Sequence, residues 1–272
     1  MGPLRFAKYE GLGNDFVVVD DVAVSTADAV TICDRHLGVG ADGVLMVTVR
    51  EGTPVMRVIN ADGSVPEMCG NGVRCVALHL VRTGQLDTRE MTVDTGAGPH
   101  RCRVLGDARV EVEMAVPSLA PDRLPVAADA PMIDAPFTVA GTTLRVTAVS
   151  MKNPHAVTFD DVSEARRREL GPLIEGDARF PSRVNAGFAR ARPDGGIDLA
   201  VYERGAGWTR ACGTGACAAA VAAVETGRAR RGEPIVVWLP GGMLEIVVGA
   251  LGEPVRMTGP ARHVFDGTLV TG

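Results

Sequence analysis

Two cysteines in the sequence lie where a thiol could exchange protons. Cys69 precedes the turn Gly70-Asn-Gly72, Cys212 precedes the turn Gly213-Thr-Gly215, and a run with helical character follows each turn. Free backbone N–H groups and the dipole at a helix N-terminus favour negative charge and lower the pKa of a thiol. The sequence therefore predicts two cysteines that can each switch between thiol and thiolate.

The surroundings of the two cysteines repeat along the chain. A glycine lies fifteen positions after each of them, which is typical of the residue just beyond the end of a helix. Asn60 lies nine residues before Cys69, and Glu203 lies nine residues before Cys212. The spacing indicates one structural unit that occurs twice.

A duplicated unit of this kind suggests a specific chemistry. If a pseudo-two-fold axis relates the copies, the two helix N-termini face each other and their N–H groups can bind a carboxylate. A thiolate on one side could remove the proton from an adjacent carbon, and a thiol on the other side could return one. The N–H donors would stabilise the negative charge that builds up on the carboxylate. We therefore expect inversion of a stereocentre next to a carboxylate.

Zinc binding and redox chemistry are two other uses of cysteines that compete with this hypothesis. A zinc site could use Cys69, Cys75 and His79, or pair Cys212 with Cys217, but none of these spacings has the usual CxxC form. A redox dithiol also usually requires CxxC. We rank both below the thiol pair, and a protein that binds amino acids without catalysis also stays open. The remaining cysteines are interpreted as small buried hydrophobic residues: Cys33, Cys75, Cys102 and Cys217.

Composition excludes several classes of protein. A net charge of −5 over 272 residues is not typical of nucleic-acid binding. No apolar run is long enough for a membrane span, and the N-terminus lacks the pattern of a signal peptide, so we expect a cytoplasmic protein without structural disulfides. Lys8 and Lys152 are the only lysines, which disfavours a pyridoxal phosphate Schiff base. We expect no cofactor and no metal.

The pattern of strands and helices predicts the α+β class. We expect two similar pseudo-symmetric domains, each of mainly antiparallel strands wrapped around a central helix. The Pro-rich stretch 116–125 marks the boundary, giving domains 1–116, completed by the strand 264–272, and 117–263. Two further helices are predicted, one over 26–37 and one over 164–170, the second ended by Gly171-Pro172.

Several segments distributed over nearly the whole chain add a further signal: Gly11-Leu-Gly-Asn-Asp-Phe16, Asn60-Ala-Asp-Gly-Ser64, Cys69-Gly-Asn-Gly-Val-Arg-Cys75, Asn153-Pro-His155, Arg183-Val-Asn-Ala-Gly-Phe188, Tyr202-Glu-Arg-Gly-Ala-Gly207 and Ala211-Cys-Gly-Thr-Gly-Ala-Cys217. In this order they resemble the diaminopimelate epimerase family. The resemblance implies epimerisation of LL-2,6-diaminopimelate to the meso form in lysine and peptidoglycan precursor synthesis, without pyridoxal phosphate. The related proline racemases are the alternative, but they carry Cys-Gly-His and Ser-Pro-Cys motifs where this sequence has Cys69-Gly-Asn71 and Ala211-Cys212.

The resemblance also implies roles for individual residues. Cys69 and Cys212 would form the acid/base pair, and His155 and Glu203 would lie beside the thiols and help set their protonation. Oxidation could join Cys69 to Cys212. A homodimer is implied, with the tail near Phe265 as a surface for it. Substrate contacts are implied for Asn14, Asn60, Gly70, Asn71, Asn153, Asn185, Glu203, Arg204, Gly213 and Thr214.

The sequence departs from the family pattern at three positions. Gly43 stands where many members have a glutamine that touches substrate, so a contact there must come from elsewhere. Lys152 stands at a position that is often glycine, and it aligns with Gly13 in the first copy. Thr214 replaces a frequent serine and keeps the hydroxyl. None of these changes affects the two cysteines.

Overall fold

A computed structural model of the chain describes residues 3–66, 69–106 and 108–270. The chain divides into two compact units, residues 1–113 with 258–272 and residues 114–257. Residues 1–2, 67–68, 107 and 271–272 of the domain ranges predicted from sequence lie outside the described residues. Folding of each range as a separate domain, with the boundaries at 116 and 263, stays a prediction.

The first unit is built from strands that surround one helix. Its elements are β1 (Leu4–Gly11), β2 (Asn14–Asp20), α1 (Thr26–Cys33), β3 (Gly43–Arg50), β4 (Thr53–Asn60), α2 (Gly70–Arg82), β5 (Glu90–Thr95), β6 (Gly98–Val104), β7 (Arg109–Glu113) and β17 (Arg262–Leu269). The strand order is β17-β1-β2-β3-β4-β5-β6-β7, with only β2–β3 and β4–β5 parallel.

Helix α2 is the centre of this unit. It packs against β17 and against each strand from β1 to β7, and its residues from Asn71 to Leu80 are all buried. The buried residues include the polar Asn71, Arg74 and His79 as well as apolar ones, so the strands wrap around the helix on all sides.

The second unit repeats this arrangement. Its elements are a short 3-10 helix (Pro121–Arg123), β8 (Ala135–Val139), β9 (Thr142–Ser150), β10 (Pro154–Thr158), α3 (Glu164–Glu175), β11 (Asn185–Ala191), β12 (Ile197–Glu203), β13 (Gly207–Trp208), α4 (Gly213–Glu225), β14 (Pro234–Leu239) and β15 (Gly242–Val247), while β16 (Arg256–Pro260) spans the change of unit after residue 257. The order of the main strands is β8-β9-β10-β11-β12-β14-β15, with only β10–β11 and β12–β14 parallel.

Helix α4 takes the place that α2 has in the first unit. It contacts β9, β10, β11, β12, β14 and β15, and every residue from Gly215 to Ala223 is buried. Seven of those nine residues are alanine or glycine, because the surrounding strands approach the helix closely. The predicted α+β class, with two similar units of strands around a central helix, is confirmed.

Two predicted helix ends are wrong. Helix α1 stops at Cys33, four residues before the predicted end, because the Asp34 side chain accepts hydrogen bonds from the N–H groups of His36 and Leu37 (both 2.7 Å) and turns the chain. Helix α3 continues through Pro172 to Glu175. Leu170 and Ile174 lie in one core cluster, so their packing outweighs the local preference of Gly-Pro to end the helix.

Among the described residues, no helix is both long and apolar enough to cross a membrane.

Candidate active site

Cys69 is the residue at which the chain enters α2. It has φ −134° and ψ 109° as the N-cap, and its carbonyl accepts from the Val73 N–H at 2.9 Å. Gly72 lies in the first turn, where an added Cβ would come within 3.0 Å of a Leu45 methyl group. Cys69 is only partly buried, so its thiol lies at a helix N-terminus and is accessible from outside the unit.

Two predicted asparagines lie beside Cys69. The Asn14 carbonyl oxygen Oδ1 is 3.9 Å from Cys69 Sγ and accepts from Asn71 Nδ2 at 3.1 Å. Asn71 Oδ1 in turn accepts from Arg74 Nη2 at 2.7 Å. The turn after Cys69 is held by Arg74 as well, whose Nη1 donates to the Gly70 carbonyl at 3.4 Å.

Asn60 lies at the end of β4 and is partly engaged in its own turn. Its Nδ2 donates to Ser64 Oγ at 2.9 Å, and its backbone N–H donates to the Ser64 carbonyl at 2.9 Å. Gly43 pairs with Asn60 across β3 and β4. A Cβ on Gly43 would lie 2.9 Å from the Ile59 carbonyl, so this close approach of two strands explains the glycine.

A charged cluster behind Asn14 was not predicted from the sequence. Lys8 is buried and forms an ion pair with Asp15 (2.6 Å), and Arg35 bridges Asp15 and Asp42 at 2.7 Å each. Burial alone would raise the pKa of Asp15, but hydrogen bonds from Arg35 and Lys8 outweigh it and lower the pKa to about 2. The only signal in the sequence was the presence of charged residues next to apolar strands.

Cys212 enters α4 in the same conformation as Cys69 enters α2, with φ −124° and ψ 103°. Its Sγ accepts from the Gly215 N–H at 3.4 Å and lies 3.7 Å from Thr214 Oγ1. The residue is 4% exposed. An added Cβ at Gly215 would lie 3.1 Å from Sγ, so glycine is needed there for the thiol to occupy its place.

Glu203 is a close neighbour of the Cys212 thiol. Burial raises the pKa of Cys212 well above its usual range, and the charge and hydrogen bond of the Glu203 carboxylate raise it further. The Thr214 hydroxyl and the Gly215 N–H act in the opposite direction. Glu203 Oε1 accepts from Thr209 Oγ1 at 2.5 Å, a contact that the sequence did not indicate.

His155, Asn153 and Thr214 form a chain that leads to Cys212. His155 Nε2 lies 3.1 Å from Asn153 Oδ1, and Asn153 Nδ2 donates to Thr214 Oγ1 at 3.2 Å. Burial lowers the pKa of His155 to about 3, and the charge of Arg204 lowers it too. The imidazole is therefore neutral at pH 7, and since a carbonyl oxygen only accepts, Nε2 carries its proton.

Asn185 and Arg204 are adjacent at the start of β11 and the end of β12. The Arg204 N–H donates to Asn185 Oδ1 at 2.9 Å, and Asn185 Nδ2 donates to the Pro154 carbonyl at 2.9 Å. The Arg204 guanidinium is exposed and donates to the Ser182 carbonyl at 2.9 Å. Buried Glu175, another residue that the sequence did not indicate, accepts from the Gly205 N–H at 3.3 Å.

Each unit thus presents a thiol at a helix N-terminus with amide and hydroxyl groups around it. In the first unit these are Asn14 and Asn71, and in the second they are Asn153 and Thr214, with a carboxylate at Glu203. Such groups can bind a carboxylate or an ammonium group and can donate or accept a proton. Within the part of the chain that the structure describes, no cluster of three or more His, Cys, Asp or Glu residues could hold a metal ion.

Comparison with known proteins gives a consistent result. A model of the diaminopimelate epimerase family matches residues 6–120 and 147–264. Diaminopimelate epimerase from Azoarcus is 46% identical, over 98% of this chain and 98% of that protein. The protein of the same name from Synechocystis is 44% identical, over 97% and 98%. The family resemblance read from the sequence is confirmed.

Solved structures of other enzymes share the fold at low sequence identity. A hydroxyproline epimerase from Agrobacterium vitis matches with a TM-score of 0.70 and 15% identity, over 98% of this chain and 92% of that chain. At this identity the likeness concerns the fold alone.

Proposed function

Because the chain belongs to the diaminopimelate epimerase family, we propose that it interconverts LL- and meso-2,6-diaminopimelate in lysine and peptidoglycan precursor synthesis. The observation that carries the proposal is the pair of equivalent cysteines. Cys69 and Cys212 each cap a buried central helix, with φ and ψ values that agree within 10°. The fold has thus kept one thiol in the same local geometry in both copies of a duplicated unit.

The proposed chemistry is a proton transfer with one base on each face of the α-carbon. One cysteine, as the thiolate, takes the α-proton and becomes a thiol, and the other, as the thiol, gives its proton to the opposite face and becomes a thiolate. One C–H bond breaks and one C–H bond forms at the same carbon, so its oxidation state does not change, and the configuration inverts because the new proton arrives on the opposite face. The N–H groups at the two helix starts would stabilise charge that develops on the substrate carboxylate.

The residues around Cys212 support a role in setting its protonation. Glu203 stabilises the thiol form through its charge and hydrogen bond, while Thr214 and Gly215 favour the thiolate. A substrate ammonium group near Glu203 would offset that negative charge and so ease loss of the proton. His155 is neutral, so we assign it to the orientation of Asn153 and not to charge stabilisation.

The substrate contacts remain proposals from the family pattern. The exposed Arg204 guanidinium is suited to bind the distal carboxylate, and the adjacent Asn185 is suited to support it. The amide and backbone groups assigned to the remaining contacts are Asn14, Asn60, Gly70, Asn71, Asn153, Gly213 and Thr214.

The absence of a pyridoxal phosphate requirement is also a proposal. Lys8 is 7% exposed and is ion-paired with Asp15, so its amine is already engaged and is poorly placed to form a Schiff base. Activity of dialysed protein without added cofactor tests this point.

A homodimer and a cytoplasmic location are proposed from the family as well. Val264 and Phe265 on β17 are 49% and 44% exposed, so this strand offers apolar surface to a second copy. Sedimentation of the wild type and of Phe265→Arg tests the dimer: we expect about twice the monomer mass for the first and a monomer for the second. Equal masses would rule out this surface.

The enzymatic proposal is tested by chiral separation of the products from LL-diaminopimelate. We expect meso-diaminopimelate with the wild type and with the control Cys217→Ala, whose buried cysteine lies five residues after Cys212 in α4. We expect none with Cys69→Ala or Cys212→Ala. Inversion of proline in place of diaminopimelate would leave the thiol pair but refute the substrate, and inversion of neither would refute the enzymatic proposal.

A further inference from the structure

Asn14 belongs to a chain of hydrogen bonds that runs through the first unit. Arg74 Nη2 donates to Asn71 Oδ1 at 2.7 Å, Asn71 Nδ2 donates to Asn14 Oδ1 at 3.1 Å, and Asn14 Nδ2 donates to Asp42 Oδ2 at 2.7 Å. We call Arg74, Asn71, Asn14 and Asp42 the amide relay. Every link joins one donor to one acceptor, and all of them point from α2 towards the turn before β3.

The two ends of the amide relay fix its direction. A guanidinium group can only donate and a carboxylate can only accept, whereas a side-chain amide can do either if it rotates by about 180°. Arg74 is fully buried, and its Nε also donates to the Pro260 carbonyl at 3.1 Å. Asp42 accepts in addition from Arg35 Nη2 (2.7 Å) and from the Asp15 N–H (3.1 Å). Neither end can reverse its role, so both amides are held in one orientation.

The orientation matters because Asn14 is the residue whose amide faces the thiol. We propose that Arg74 and Asp42 are positioning residues that turn Asn14 so that its carbonyl oxygen, and not its NH2 group, is presented to Cys69. Cys69 Sγ lies 3.9 Å from that oxygen. The importance of this orientation for catalysis rests on the proposed epimerase function, whereas the orientation itself does not.

The second unit provides an internal comparison with the opposite polarity. There the equivalent asparagine, Asn153, has a donor behind it, His155 Nε2–H, which bonds to its carbonyl oxygen. Its NH2 group therefore points to Thr214 on the side of Cys212. Behind Asn14 lies an acceptor, Asp42, and the carbonyl end of the amide faces the thiol. Behind Asn153 lies a donor, His155, and the NH2 end faces the side of the thiol.

An acceptor at Cys69 favours its thiol form, whereas an NH2 group would stabilise the thiolate. The amide relay therefore makes a prediction about Cys69 that needs no substrate. If Asn14 is released and its NH2 group turns to Sγ, the thiolate fraction of Cys69 at a given pH rises.

The test compares Asp42→Ala with Asp42→Asn. Both variants remove the same charge, but only the asparagine can still accept from Asn14 Nδ2. The Asp42 side chain is 40% exposed, so neither change disturbs the core. The measurement is the rate of alkylation of Cys69 by iodoacetamide between pH 6 and 9, followed by peptide mass spectrometry, together with kcat/KM for LL-diaminopimelate.

We expect Cys69 to be alkylated about fivefold faster at pH 7 in Asp42→Ala than in Asp42→Asn, with a lower kcat/KM in the alanine variant. Addition of Arg74→Met to Asp42→Ala also frees the Asn71 amide. We therefore expect Arg74→Met to raise the alkylation rate of Cys69 by a larger factor in the Asp42→Ala protein than in the wild type. Equal or slower alkylation in Asp42→Ala would overturn the proposal. Because alkylation is measured without substrate, a wrong substrate assignment would leave this result readable.

Discussion

Gly215 has the most direct steric influence on a proposed catalytic group. A Cβ at this position would lie 3.0 Å from Val201 Cγ2, 3.1 Å from Cys212 Sγ and 3.3 Å from Cys212 Cβ. Contacts this short require a shift of a few tenths of an ångström, and both the thiol and Val201 are confined because they are buried. Gly215→Ala should therefore displace Sγ, which also loses its 3.4 Å contact with the residue 215 N–H.

The stability of this variant should change little, because two terms oppose each other. Alanine in place of glycine in a helix stabilises by roughly 0.5–1 kcal/mol, and overpacking costs about 1–3 kcal/mol. We expect a net loss of about 1 kcal/mol in the free energy of unfolding. Since displacement of a reacting group by about 1 Å can cost on the order of a hundredfold in rate, we expect a shift of a few tenths to lower kcat about tenfold.

The matched control is Gly72→Ala at the equivalent position of α2. There the Cβ would meet the terminal methyl groups of Leu45 at 3.0 and 3.4 Å and Cys69 Cβ at 3.5 Å, so the thiol is not among the three nearest atoms. Urea unfolding and initial rates for both variants test the reasoning. We expect kcat of Gly72→Ala to stay within about threefold of the wild type. A Gly215→Ala enzyme with wild-type kcat, or a larger loss in Gly72→Ala, would refute the steric argument.

Three further predictions concern charge, pH and backbone strain. Glu203→Gln removes a carboxylate that raises the pKa of Cys212, so iodoacetamide should alkylate Cys212 several-fold faster than in the wild type at pH 8, and an unchanged rate would contradict the assignment. The pKa of Asp15 is lowered to about 2 in the folded protein, so its stabilisation is present above about pH 4 and is lost as the pH falls to about 2. At pH 7 the free energy of unfolding of the wild type should exceed that of Asp15→Asn by roughly 1 kcal/mol or more. Urea unfolding should find a smaller difference between the two proteins at pH 2.5, and an equal difference at both pH values would contradict the prediction. Lys152 has φ +71°, so Lys152→Gly should raise the free energy of unfolding by about 1 kcal/mol, and a loss of stability would show that contacts of the lysine side chain outweigh the strain.

The backbone of the candidate site was predictable from sequence because it depends on local signals. Glycine turns after Cys69 and Cys212, followed by apolar runs, define helix starts that need no long-range information. The equal spacing of the two copies made the duplicated fold predictable as well. The repeat even extends to conformation, since Gly13 and Lys152 both have positive φ just before the paired asparagines.

The supporting contacts were not predictable because they join residues far apart in the chain. Asp42 reaches Asn14 across 28 positions, and Asn153 reaches Thr214 across 61 positions. The continuation of α3 past Pro172 likewise depends on the packing of Ile174 in the core. Sequence patterns report local preferences, whereas these features depend on which strands become neighbours.

The most direct test of the two-thiol account is the fate of hydrogen at the α-carbon in deuterated water. LL-diaminopimelate is incubated with the protein without added cofactor, and proton NMR and mass spectrometry follow both isomers at early times. The account predicts that newly formed meso-diaminopimelate carries one deuterium at the inverted carbon, while unreacted LL substrate keeps its hydrogen, and that Cys69→Ala and Cys212→Ala form no meso product. Deuterium entering the LL substrate as fast as the meso product forms, or meso product without deuterium, would contradict transfer by two bases on opposite faces.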